Sequence, residues 1–138
     1  MGVIDHRNRP LQQFPEEPWR IPIRYAINRS AGADTLSIWT HAFNGPRRAP
    51  LHYHDIEEVL LFVDVDGDGG WVRLNDEEFP ILSDMSVLVP PGTRHCFGMR
   101  GNGRMRSLSI LADADAVLGH RIYEVGAEPF DLPPPTNR

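Results

Sequence analysis

Three histidines and one glutamate are spaced in this chain as metal ligands are. His52, His54 and Glu58 lie in one short segment, and His95 follows after two further apolar segments. If residues 52–58 form one uninterrupted strand, its alternation places the three even-numbered side chains on the same face. That face also carries apolar residues, among which unpaired imidazoles and a carboxylate are costly to bury. The spacing therefore predicts a buried site at which a metal ion offsets that cost.

Short apolar segments rich in branched residues surround these four residues, and Gly, Pro, Asn or Asp residues bound each of them. The predicted strands are residues 23–27, 35–43, 59–65, 71–74, 85–89 and 105–111. One helix-like window, residues 113–118, is only about one and a half turns long. Regular strand-and-turn spacing of this kind favours an all-β sandwich or barrel.

Around the four candidate ligands the chain resembles the cupin superfamily. Residues 52–58 read HYHDIEE and match the central part of the first cupin motif, in which H-x-H is followed after three or four residues by E. Residues 90–95 read PPGTRH and match P-x-G-x-x-H in the middle of the second motif. The resemblance covers roughly residues 35–111. It implies a small antiparallel jelly-roll barrel, or double-stranded β-helix, with a metal bound inside by His52, His54, Glu58 and His95.

The chain departs from the cupin motifs at turn and outer-strand positions and keeps all four ligands. Gly45 lies one residue too far from the first histidine, and the glycine after the glutamate is displaced to Gly67. Met99 replaces the asparagine of the second motif, and Asp84 stands where that motif begins with glycine. We therefore expect Asp84 to adopt backbone geometry that glycine usually supplies.

The composition excludes several classes of function. All 14 basic residues among the 138 are arginine, so no lysine is present for Schiff-base or pyridoxal-phosphate chemistry. The formal net charge is -5 and the arginines form no basic stripe, which argues against a nucleic-acid partner. A single cysteine, Cys96, cannot form an intramolecular disulfide, and neither a signal-peptide core nor a run of about 18 apolar residues is present. We expect a soluble cytoplasmic protein without a membrane partner.

The chain is expected to form one domain in three parts. Residues 1–34 are predicted to be an N-terminal arm and edge strand, residues 35–111 the cupin barrel core, and residues 112–138 a segment that packs on the barrel and ends in a short tail. The arm, with Trp19 and the segment 21–27, could add a strand to a neighbouring copy. A homodimer is therefore predicted.

Other residues are candidates for catalysis or substrate binding. His41 shares strand parity with Trp39 and Phe43, so it and His120 could serve as acid–base groups, although a structural histidine is commoner. Arg47, with Arg48, could bind a substrate carboxylate, although a solvated charge pair is the commoner case. The predicted pocket residues are Tyr25, Trp39, Phe43, Arg47, Phe62 and Met105.

Residues 64–69, DVDGDG, have the acidic and glycine positions that open a calcium loop. The twelfth position is Asn75 instead of the bidentate glutamate, and no helices flank the segment. A hairpin turn is the favoured interpretation.

The predicted function is that of a metal-dependent enzyme acting on a small organic substrate. Four protein ligands leave two open positions in an octahedral arrangement. Fe(II) is favoured, and Mn, Ni, Zn or Cu also suit the ligand set. The resemblance makes a non-haem Fe(II) dioxygenase the leading prediction, with Glu58 as a catalytic base. The alternatives are a redox-neutral isomerase, lyase, cyclase or decarboxylase, in which His41 or Glu58 moves the proton, and a non-catalytic barrel that binds a small ligand.

Overall fold

The structure is a computed structural model that describes residues 2–9, 11, 21–116 and, for the backbone alone, 123–124. Within these residues the chain forms eleven β-strands and one 3-10 turn, Arg29–Ala31, and no α-helix. The strands are β1 Ile23–Ile27, β2 Ser37–Asn44, β3 Arg47–Arg48, β4 His52–Tyr53, β5 Glu58–Val65, β6 Gly70–Leu74, β7 Glu77–Pro80, β8 Met85–Val89, β9 His95–Met99, β10 Arg104–Leu111 and β11 Tyr123–Glu124.

The strands form two antiparallel sheets, which is the architecture of a jelly-roll barrel. One sheet has five strands in the order β1-β2-β10-β5-β8. The other has six, in the order β11-β4-β9-β6-β7, with β3 also paired to β9. The predicted all-β fold class is confirmed.

Alternation along β2 and β10 explains why the five-stranded sheet has one inward face. Every second residue of β2, beginning at Ser37, is buried, and the residues between are partly or fully exposed. β10 alternates in the same way from Met105 to Leu111. Such alternation is typical of a sheet with one face on the core. The register aligns these inward positions, because Phe43 lies opposite Met105 and His41 lies opposite Ser107.

The largest apolar cluster joins the inner faces of the two sheets. Phe62 on β5 lies 5.6 Å, between ring centroids, from Phe97 on β9, with the rings edge to face. Met105 and Met99 are buried in the same cluster. Burial of these large side chains is the dominant favourable contribution to folding of the barrel.

Several sequence-based expectations need correction. Residues 52–58 are not one strand: β4 lies in the six-stranded sheet and β5 in the other, so the chain crosses between sheets at residues 54–57. Residues 113–116 form no helix, and 117–118 lie outside the described residues. The turn at 66–69 is not a hairpin, since β5 pairs with β8 and β10 whereas β6 pairs with β7 and β9.

The predictions for the two arms are only partly covered by the described residues. β1 pairs with β2 of the same chain, as an edge strand of the barrel sheet. Trp19 and His120 lie outside the described residues. The predicted homodimer stays a prediction that light scattering can check. Over the part of the chain that the structure describes, no helix is long and apolar enough to cross a membrane.

Candidate metal centre

Four side chains from the two sheets converge inside the barrel. His52 lies on β4, His54 follows that strand, Glu58 begins β5 and His95 begins β9. One ligand atom from each side chain lies within 4.8 Å of the others, and all four residues are buried. The predicted ligands therefore come together, although they do so across two sheets rather than along one strand.

Backbone carbonyls orient two of the imidazoles. His52 and His95 lie directly opposite each other on β4 and β9. The Nδ1 atom of His52 lies 2.6 Å from the carbonyl oxygen of Pro50, and the Nδ1 atom of His95 lies 2.8 Å from that of Thr93. A proton on each Nδ1 donates to these carbonyls and leaves Nε2 as an acceptor, which is the tautomer that metal-bound histidines commonly hold.

The turn between β8 and β9 holds ligands from two segments. Gly92 has a φ of 80°, a left-handed conformation that glycine adopts without strain. Its N–H donates to the carbonyl oxygen of His54 at 2.7 Å, and the next residue, Thr93, accepts from His95. The turn formed by the Pro-x-Gly-x-x-His motif thus fixes the relative positions of His54 and His95.

The carboxylate of Glu58 joins the other two ligands. Its Oε2 atom lies 2.8 Å from Nε2 of His54 and 2.9 Å from Nε2 of His95. Two acceptor atoms at such distances need a proton or a cation between them. Adjacent ligands of an ion with bonds of 2.0–2.2 Å are about 3 Å apart, so these distances fit a shared divalent ion. The four residues form a candidate divalent-metal site.

The electrostatics favour the protonation states that metal ligands require. Burial lowers the pKa of His52 well below its ordinary value, and the neighbouring His95 and His54 lower it further. Burial alone raises the pKa of Glu58, but its contacts with His54 and His95 outweigh this and hold that pKa well below the usual range. A neutral imidazole and an ionised carboxylate are the forms that bind a cation.

His41 lies in the same interior but is not one of the four. Its Nε2 atom is 3.0 Å from the hydroxyl oxygen of Ser109, and its ring packs edge-on against Phe97 at 5.4 Å between centroids. Burial lowers the pKa of His41 to about 4, although the charge of Glu58 raises it in part. The side chain is therefore a neutral imidazole at neutral pH.

The predicted pocket residues divide into two groups. Trp39 is buried and packs edge-on against Tyr25, with ring centroids 5.4 Å apart. Phe43, Met105 and Phe62 belong to the large apolar cluster. Of these, Phe43 and Met105 lie toward the end of their strands that is remote from Glu58.

Arg47 is also remote from the ligands. It lies opposite Met99 on β9, four residues from His95, which is roughly 13 Å along a strand. The structure thus does not bring this arginine to the candidate metal centre.

Sequence reasoning missed three buried serines beside the site. Ser37 shares the inward face of β2 with Trp39 and His41, and Ser107 and Ser109 occupy inward positions of β10. The available signal was parity, because each serine stands two residues from another inward-facing residue.

Solved structures of other proteins share this fold. No protein-family model and no curated protein matches the sequence. The polyketide cyclase RemF from Streptomyces resistomycificus is 16% identical, with a TM-score of 0.71 over 93% of this chain and 87% of that one. A cupin 2 domain-containing protein from Halorhodospira halophila is 20% identical, with a TM-score of 0.65 over 85% and 82%. An oxalate decarboxylase is 15% identical, with a TM-score of 0.62 over 76% of this chain and 29% of that one. Together with its two facing sheets, these similarities show that the chain has the cupin fold.

Proposed function

We propose that this chain is a metal-dependent enzyme that acts on a small organic molecule inside the barrel. The observation that carries the proposal is the buried convergence of three imidazoles and one carboxylate. Four protein ligands would leave further positions on a bound divalent ion open to substrate atoms. A divalent ion bound here supplies Lewis acidity towards a substrate oxygen and, if it is Fe(II), electrons for dioxygen. Cupin-fold neighbours named as a cyclase and a decarboxylase make catalysis a reasonable use of such a site.

Among the enzyme classes, redox-neutral proton transfer has the most specific support. His41 is buried, neutral and hydrogen-bonded to Ser109, so its imidazole is available to pass a proton to or from a substrate, although a pKa of about 4 makes it a weak base. Glu58 is ionised and is a second proton acceptor if it loosens from the metal. Proton movement of this kind serves an isomerase, lyase, cyclase or decarboxylase.

A non-haem Fe(II) dioxygenase is the second candidate. The resemblance of the motifs to cupins favours it, and the same four ligands suit iron. Because the set contains no thiolate, ligand softness does not select among Fe, Mn, Ni, Cu and Zn. The two classes differ in whether dioxygen is consumed.

The test begins with metal analysis of protein purified without added metal. The chain is then loaded with Fe(II), Mn(II), Ni(II) or Zn(II) and assayed with a panel of enols and catechols, with and without dioxygen. Redox-neutral catalysis predicts equal conversion under both conditions. Iron-dependent dioxygen uptake that requires substrate would support the dioxygenase instead. Binding without turnover at any metal would leave a non-catalytic binding protein.

A further inference from the structure

The inner face of the five-stranded sheet carries buried polar atoms that lack partners. The hydroxyl oxygens of Ser37 and Ser107 and the indole Nε1 of Trp39 make no hydrogen bond to any described residue. All three residues are at least 95% buried. Buried polar groups in native proteins are almost always hydrogen-bonded, so these atoms need partners, which ordered water or a bound ligand supplies.

These atoms lie on adjacent strands and face the same interior as the metal ligands. Ser37 is opposite Leu111 on β10, which is in turn opposite Glu58 on β5. Trp39 is opposite Ser109, and successive inward positions on one strand are about 7 Å apart. Residues that lie opposite one another on β2, β10 and β5 form a row across the sheet. Polar residues of the inner face occupy three successive rows, and the first of these rows contains Glu58. We call this set the polar wall; it consists of Ser37, Trp39, His41, Ser107 and Ser109.

The polar wall offers hydrogen bonds but no positive charge. Serine hydroxyls donate or accept, the indole only donates, and burial keeps His41 neutral. The sequence contains no lysine, and no arginine is among the buried residues of the described chain. A carboxylate group of a ligand has no cationic partner on this wall.

The surfaces beside the polar wall are apolar and aromatic. Phe62 and Phe97 form an edge-to-face pair, and His41 packs against the second of them. Leu60 separates Glu58 from Phe62 on the inward face of β5 and is fully buried. A molecule bound here is thus offered hydrogen bonds along one edge and apolar contact elsewhere.

We propose that the polar wall binds the substrate through uncharged oxygen atoms. The part of the substrate that faces the wall is then planar and carries uncharged hydroxyl or carbonyl groups along one edge, as in phenols and enols, in preference to a carboxylate. The inference rests on the proposed function, because the same molecule must also reach the metal centre. It makes Ser107 and Trp39 residues that determine specificity, separate from the metal ligands.

Two probes of the same size test the proposal. The first, 2,6-dihydroxyacetophenone, is neutral, and 2,6-dihydroxybenzoate replaces its acetyl group by a carboxylate. Calorimetry on the full chain after chelator treatment measures their affinities without competition for a metal. We expect the neutral probe to bind at least about tenfold more tightly. Equal affinities, or no binding of the neutral probe, would overturn the proposal.

Variants of the wall locate the binding. Ser107→Ala and Trp39→Phe are each expected to weaken binding of the neutral probe about three- to tenfold, which is typical of one lost hydrogen bond. Ser86→Ala, at an exposed position of β8, is the matched control. Because the hydroxyl of Ser107 has no described partner, Ser107→Ala is expected to keep or raise the thermal midpoint. A purely structural hydroxyl would show a lowered midpoint and unchanged probe binding, which would also overturn the proposal.

Metal titration of the same samples separates this inference from the proposed function. If the chain binds no divalent metal but still discriminates between the probes, the proposed function fails and the polar wall stands. If it binds metal and turns over a substrate without discriminating between the probes, the polar wall fails and the proposed function stands.

Discussion

The two ends of the barrel interior are built from the same strands with opposite chemistry. We call the end that holds the candidate metal ligands the metal end and the opposite end the apolar end. At the metal end, Ser37, Leu111 and Glu58 form one row across β2, β10 and β5. At the apolar end, the corresponding row consists of Phe43, Met105 and Val65. The eight residues of β10 span the whole distance between them.

This difference separates folding from function within one core. The apolar end fills space with large side chains, which stabilise the fold by burial. The metal end buries imidazoles, a carboxylate and unpartnered hydroxyls, which reduces stability unless a ligand is bound. Changes at the two ends are therefore expected to affect different observables.

The largest expected effect is on metal binding at the metal end. His95→Ala removes one of four ligands, and metal affinity is expected to fall by more than about 100-fold, since losing only a supporting partner of a ligand already costs about 10–100-fold. Equilibrium dialysis with metal analysis measures the loss. Glu57→Gln is the control, because Glu57 is exposed and adjoins the ligand Glu58. Full metal stoichiometry in His95→Ala would remove the basis for the proposed metal end.

The apolar end is expected to respond in stability and not in metal stoichiometry. Met105 is fully buried, so Met105→Ala is expected to lower the free energy of unfolding by about 2–5 kcal/mol. Denaturant titration measures the change, and Met85→Ala at a partly exposed position is the control. If the folded variant also bound metal much more weakly, the two ends would not be separable.

The pH dependence of stability sharpens the contrast at His41. Its pKa of about 4 in the folded chain lies below the unfolded value near 6.5, so the unfolded state binds more protons between these values. Above pH 6.5 His41 is neutral in both states and does not affect the free energy of unfolding. As the pH falls to 4, protonation of this residue in the unfolded state lowers the free energy of unfolding by about 3 kcal/mol.

His41→Gln is the variant that isolates this contribution. It removes the titrating group and keeps a side chain able to bond to Ser109. Denaturant titrations from pH 7 to 4 on chelator-treated protein compare the two chains, with the ligand histidines common to both. Between pH 7 and pH 4 we expect the free energy of unfolding of the variant to fall by about 3 kcal/mol less than that of the unsubstituted chain. If the free energies of unfolding of the two chains changed in parallel with pH, His41 would not be buried as a neutral group.

The sequence predicts the apolar strands better than the way in which they assemble. The predicted strands at 23–27 and 85–89 coincide with β1 and β8 because alternation and flanking turn residues are local signals. β9 was missed, since all five of its residues are buried and no alternation is visible. Burial on both faces is a result of packing that local patterns do not reveal.

The candidate site was predicted partly for an incorrect reason. Parity on a single strand was expected to align His54 with Glu58, but these residues meet because the chain crosses from one sheet to the other. The point at which the chain crosses from one sheet to the other is set by tertiary contacts. The spacing of the motif indicates that the side chains meet, but not how the strands bring them together. Ser107 was missed for a related reason, because a serine at an inward position looks like any surface serine until the inward face is known.

The smallest expected effects concern two turns, one at each end of the interior. Asp84 has a φ of 64°, as its place in the cupin motif led us to expect, and its N–H donates to the carbonyl of Phe62. Its side chain is exposed, so Asp84→Gly is expected to change the free energy of unfolding by about +0.5 kcal/mol, because relief of about 1–2 kcal/mol of backbone strain is partly offset by the greater entropy of unfolded glycine.

At the metal end, Gly92→Ala is the reciprocal change. A Cβ atom there would meet no neighbour within 4 Å, so the expected loss of about 1–2 kcal/mol comes from the left-handed backbone alone. Because Gly92 also holds the carbonyl of His54, this variant is expected to weaken metal binding, whereas Asp84→Gly is not. Denaturant titration and metal dialysis on both variants measure the two effects. Equal metal affinity in both would show that the turn at 90–93 does not position the ligands, so the backbone support of the metal end would have to come from β4 and β9.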